Sequence, residues 1–128
     1  MKLLLDTHTF LWFIAGNTTL SVKCRAMIEV DENEKLVSIA SVLEIAIKCS
    51  MGKLSLEKPF AELIPQQIHR NNFRLHQLTI ENGVALARLP FHHRDPFDRM
   101  IIAQSLVENL PILSNDGAFD AYGVKRIW

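Results

Sequence analysis

Lys2-Leu3-Leu4-Leu5-Asp6-Thr7-His8 begins with an apolar run that stops at an acid. Three leucines in succession, without alternation, describe a strand buried on both faces, the habit of parallel sheets covered by helices. Residues 9–15 then read as a helix stopped by Gly16, so the chain starts strand–helix. The unit recurs. Leu36–Ala40 is a second apolar run, and Ser41-Val42-Leu43-Glu44 opens a helix ending near Gly52. Pro111–Ser114 and Val124–Trp128 are a third and a fourth run. Between them, helices are predicted from Ser21 to about Asp31, from Pro59 with a kink or break at Pro65, from Thr79, and from Asp95-Pro96 to near Asn109. Strands alternating with helices predict an α/β fold, a small parallel sheet of about four to five strands covered by helices on both faces. The 128 residues suit one domain, residues 1–128, with one core.

Composition narrows the function classes. Apolar residues are 48% and charged residues 22% of the chain, which argues against disorder. Lys+Arg and Asp+Glu are both 14, so affinity for a nucleic acid must come from a local basic patch or from bound metal. Cys24 and Cys49 are far apart, each in a predicted helix, and form no zinc-ligand pattern; two reduced thiols are expected. Asp6 and His8 interrupt the N-terminal apolar segment, so it reads as strand and helix rather than as a signal peptide. No apolar run approaches the ~18 residues of a membrane span. A cytoplasmic protein without a membrane partner is expected.

The acids mark where chemistry would sit. Ligands of open parallel sheets bind beyond the carboxyl ends of the strands. Asp6 and Asp116 end apolar runs, Glu44 lies one turn beyond the second run, and Asp98 starts the helix that feeds the third. Each has a bland alternative: Asp6 caps a helix, Ser41 and Glu44 form a capping box, Asp95 and Asp98 stand in the same relation, and Asp116 precedes Gly117 in a turn. Together they predict a carboxylate cluster for a divalent cation. Mg²⁺ and Mn²⁺ prefer oxygen ligands, and such an ion activates water and stabilises charge on a phosphodiester.

Other residues are candidates for support. Thr7, Ser41, Asp95 and Asn115 can orient carboxylates or metal-bound water. Lys48, four residues after Glu44, shares its helix face and can pair with it or meet a phosphate. Arg94 and Arg99 are further candidates for substrate contact. His92-His93 are read as loop residues near the active edge, because adjacent residues of one segment seldom ligate one ion together.

Four segments carry a family resemblance: Leu4-Leu5-Asp6-Thr7-His8; Ser41-Val42-Leu43-Glu44-Ile45 with Lys48 and Gly52-Lys53-Leu54; His93-Arg94-Asp95-Pro96-Phe97-Asp98-Arg99 leading into Ile102-Ala103-Gln104; and Leu113-Ser114-Asn115-Asp116 with Phe119. In this order and spacing the chain resembles a PIN-domain ribonuclease of the VapC toxin type, over essentially its whole length. The resemblance implies a PIN-like fold and catalytic, metal-holding acids at Asp6, Glu44, Asp98 and Asp116. Asp95 and Asp98 compete for the third position; the family places that acid just before the apolar helix stretch, which favours Asp98 and leaves Asp95 as cap. The resemblance also implies Mg²⁺ or Mn²⁺, RNA cleavage by an activated water, a homodimer and a cognate antitoxin. Two other classes compete. A haloacid-dehalogenase phosphatase needs a second Asp where this chain has His8. A non-catalytic interaction module would use the acids as helix caps only.

Overall fold

In a computed structural model that describes residues 1–128, five strands form one parallel sheet in the order β3-β2-β1-β4-β5. The strands are β1 (Lys2–Leu5), β2 (Glu34–Ser38), β3 (Arg74–His76), β4 (Ile112–Leu113) and β5 (Arg126–Ile127). Six α-helices connect them: α1 (Thr7–Ala15), α2 (Val22–Glu29), α3 (Ile39–Ser50), α4 (Phe60–Arg70), α5 (Ile80–Arg88) and α6 (Pro96–Glu108). A 3₁₀ helix, Gly117–Tyr122, lies between β4 and β5.

The leucine run is the centre of this sheet. Leu4 sits opposite Leu36 on one side and Ile112 on the other. Because successive side chains point to opposite faces, Leu3 and Leu5 pack with Phe10, Cys24, Ile45 and Ile64 of α1 to α4. Leu4 packs on the other face with Ile101, Ile102 and Phe119, from α6 and the 3₁₀ helix. All three leucines are fully buried, each contributing roughly 1.5–3 kcal/mol. Both thiols are free, Cys24 within the core and Cys49 half-buried. No helix is long and apolar enough to cross a membrane.

The strand order decides where a site forms. From β1 the chain moves outward through β2 to β3, then returns past β1 to β4. The connections after β1 and β4 therefore part at adjacent carboxyl ends, leaving a crevice at the switch point. Asp6 N–H donates to Leu113 O across that junction, at 3.2 Å.

Several expectations from the sequence are corrected. The second strand is Glu34–Ser38, two residues earlier than predicted. Helix α3 accordingly starts at Ile39 with Ser38 as its cap, accepting from Ala40 N–H at 3.0 Å, and no Ser41–Glu44 capping box forms. Strand β3 was not among the four runs: Arg74-Leu75-His76 lies at the sheet edge, mostly exposed, and has no apolar run to announce it. Helix α4 continues from Phe60 to Arg70 with Pro65 inside it.

Candidate metal centre

Asp6 leaves β1 at the crevice. Its Oδ1 accepts from Thr9 N–H at 2.8 Å and caps α1, while Thr9 Oγ1 donates to Leu113 O at 2.9 Å and binds the helix start to β4. Burial pushes the Asp6 carboxyl upward, against the stabilising contacts of Ser114 and Thr9. Asp116 follows β4 and caps the 3₁₀ helix through Ala118 N–H at 2.9 Å. Burial raises its carboxyl too, but the Ala118 amide, His93 and Arg126 outweigh that and hold it below the ordinary range. Asp6, His8, Trp12, Asn115 and Asp116 line a cleft of about 250 Å³.

Glu44 reaches the same edge from α3. It is buried, and its two oxygens are held differently. Thr7 Oγ1 donates to Oε1 at 2.6 Å and lies 3.0 Å from Ser41 Oγ. Lys48, one turn further along α3, donates to Oε2. That bond, ahead of the burial that opposes it, raises the Lys48 ammonium pKa.

Helix α6 brings the remaining acids. Asp95 Oδ1 caps it, accepting from Phe97 and Asp98 N–H at 2.8 and 3.1 Å. Asp98, in the first turn, joins two groups of donors. Glu44, Asp95 and Asp98 offer oxygens that lie within 4.8 Å of one another, and so do the donor atoms of His93, Asp98 and Asp116. His93 Nε2 is 2.7 Å from Asp116 Oδ2 and 3.3 Å from Asp98 Oδ2. Burial, with Asp95, Asp6, Glu44 and Asp116 nearby, pushes the Asp98 carboxyl up to about 8.

The PIN domain family model matches residues 3–125. This chain belongs to the PIN domain family. Solved structures share its architecture. VapBC2 from Rickettsia felis bound to a DNA fragment from their promoter aligns over 100% of this PIN domain and 99% of that chain, at 13% identity and a TM-score of 0.75. FitAcB from Neisseria gonorrhoeae aligns over 98% and 96%, at 16% identity and a TM-score of 0.66. VapBC-1 from nontypeable Haemophilus influenzae aligns over 99% and 97%, at 12% identity and a TM-score of 0.68. At such identities the likeness speaks for the fold alone. No curated protein matches the chain by sequence.

PIN domains are generally nucleases that use divalent metals. The donor set fits such an ion. Four carboxylates, Asp6, Glu44, Asp95 and Asp116, act on that of Asp98, and the ammonium paired within the cluster is that of Lys48, on Glu44. Gathered acids repel one another, and an oxygen-preferring cation would relieve that cost.

The sequence-predicted residues divide. Glu44, Asp98 and Asp116 converge through Asp98, and Asp95 joins them as well as capping α6. Asp6 is close enough to raise Asp98 but lies outside either three-donor group. Thr7 and Ser41 are buried against Glu44 or each other, whereas Asn115 is exposed on the cleft wall. Lys48 is half-buried and Arg94 exposed. Arg99 is a correction. It is buried and donates to Leu89 O at 3.1 Å and Pro90 O at 2.7 Å, so it serves backbone carbonyls and not the surface. His93 is the contact that the loop reading missed. Its position two residues before the α6 cap was the available signal.

Proposed function

We propose that this PIN domain is a Mg²⁺- or Mn²⁺-dependent endoribonuclease, the toxin of a VapBC-type pair, acting in the cytoplasm. The observation that carries the reading is Asp98, set among the carboxylates of Glu44, Asp95 and Asp116 at the switch point of the sheet. Asp6, Glu44, Asp98 and Asp116 are the residues proposed to hold the ion, with Asp95 beside them. The ion, when bound, supplies the positive charge that acidifies water and steadies a phosphodiester in hydrolysis. The chain's own groups do the rest. Thr7 and Lys48 fix the two Glu44 oxygens. Lys48, partly in solvent, and the exposed Arg94 offer positive charge to substrate phosphates.

A partner protein is part of the proposal. Beside the acids a hollow of about 370 Å³, walled by Leu11, Trp12, Ile45 and Leu54, reaches Glu44 and Lys48 and suits a segment of an inhibitory antitoxin. On α3 and at its C-cap, Leu43, Ile47 and Met51 recur every four residues and are exposed, an apolar stripe suited to a second copy.

The test is cleavage of RNA by purified protein with Mn²⁺ or Mg²⁺. Asp6→Asn and Asp98→Asn abolish cleavage while the fold persists by circular dichroism; undiminished cleavage by either variant sinks the ribonuclease reading. Millimolar Mn²⁺ raises the melting temperature of the wild type, because a ligand of the native state alone stabilises it.

A further inference from the structure

A neutral imidazole has one donor and one acceptor nitrogen, and the partner of one decides the role of the other. At His93, Nδ1 lies 3.1 Å from the Asp95 backbone N–H. An amide N–H only donates, so Nδ1 keeps its lone pair and the ring proton resides on Nε2. That N–H faces Asp116 Oδ2 at 2.7 Å and Asp98 Oδ2 at 3.3 Å.

We propose that His93 is a positioning residue, a donor locked in one tautomer that ties the Asp116 carboxylate to that of Asp98 and sets their spacing. It is not a metal ligand. To ligate through Nε2, the ring would have to move its proton to Nδ1, where it would meet the Asp95 N–H head-on.

The segment carrying His93 is built to hold this aim. It has no regular structure, so its backbone groups need other partners. The Tyr122 hydroxyl accepts from His92 N–H at 2.9 Å and His93 N–H at 2.8 Å, and donates to Pro90 O at 2.8 Å. Buried Arg99 has no acid partner and spends its guanidinium on the carbonyls of Leu89 and Pro90. Phe119 meets the His93 ring edge-on, with centroids 5.6 Å apart. Fixed amide, fixed ring and fixed backbone leave one direction for the Nε2–H. Partners that orient metal-binding carboxylates characteristically change metal affinity 10–100-fold when removed.

The inference rests on the proposed metal centre, and two measurements separate their failures. The first is the ¹⁵N–¹H spectrum of the histidine rings at mildly alkaline pH, without metal and then with Mg²⁺. His93 is expected to show a protonated Nε2 and an unprotonated Nδ1 in both. A proton on Nδ1, or loss of the Nε2 proton when Mg²⁺ is added, overturns the inference. The second is Mn²⁺ titration calorimetry of His93→Leu and His93→Gln. Leu weakens binding about tenfold, and Gln, which returns an N–H at the same reach, restores most of it. Wild-type affinity in the Leu variant, or equal loss in both, overturns the positioning role. If the Leu variant fails to fold, the ring spectrum of the wild type still decides. A wild type that binds no Mn²⁺ overturns the metal centre, whereas the metal-free spectrum judges the His93 tautomer independently.

Discussion

Glu44 and Asp116 both neighbour Asp98 yet are held by opposite means. Glu44 is buried on a long helix, with a hydroxyl on one oxygen and an ammonium on the other. Asp116 stands on a short 3₁₀ turn with a side chain 41% exposed, held by an amide and an imidazole. The first is fixed by the core, because α3 is anchored by its own Ile45 in one apolar cluster and Ala40 in the other. The second is fixed by a clamped loop. An acid in the core is steadied by packing and must be compensated electrically, whereas an acid at the rim is compensated by water and must be steadied mechanically.

Asp98 joins the two halves, so its loss is expected to have the largest effect. Asp98→Asn abolishes cleavage and raises the melting temperature of the metal-free protein, since it removes a carboxyl that has to take up a proton to sit among four other acids. A lowered melting temperature would show that the acids do not strain the metal-free fold. On the Glu44 side, Thr7→Val leaves a buried carboxylate oxygen without its donor. It is expected to cost about 1–3 kcal/mol in a denaturant melt, more than any single change on the Asp116 rim. An equal cost for Asn115→Ala would erase the distinction between the halves.

The pH dependence sharpens the same contrast. Asp98 is raised from 3.8 to about 8, so the native metal-free protein holds a proton that the unfolded chain releases. Between these values the native state binds more protons, and stability falls as pH rises. The melting temperature of the metal-free protein is therefore expected to decline from pH 5 to pH 8, with Asp98→Asn flattening the curve. A curve that rises over that range would contradict the crowding. The smallest effect is expected at Arg126, whose ion pair with Asp120 is at the surface. Arg126→Ala leaves the melting temperature within error, because exposed pairs contribute little.

Much of this was legible in the residues. The leucine run could only be a strand covered on both faces, and Asp95-Pro96 could only start a helix. The acids were legible as acids at element ends. Their sharing through Asp98 was not, because α6 follows β1 by about ninety residues and local pattern carries no crossing direction. Strand β3 was hidden because an edge strand is covered on one side only and needs no apolar run. Ser41 and Ser38 were confused because the end of β2 is set by pairing with β1, beyond the reach of local patterning. Arg99 looked like surface charge, since no local rule foretells a buried guanidinium feeding the carbonyls of an irregular segment.

By itself the sequence determined the alternation of strands and helices, the burial of β1 on both faces and the identity of the acids. These follow from hydrophobic periodicity and capping, which act over a few residues. Only the tertiary structure decided that Asp98 is shared, that Asp6 lies outside the donor groups and that His93 faces Asp116. Those are distances between side chains far apart in the chain, set by which strand lies beside which.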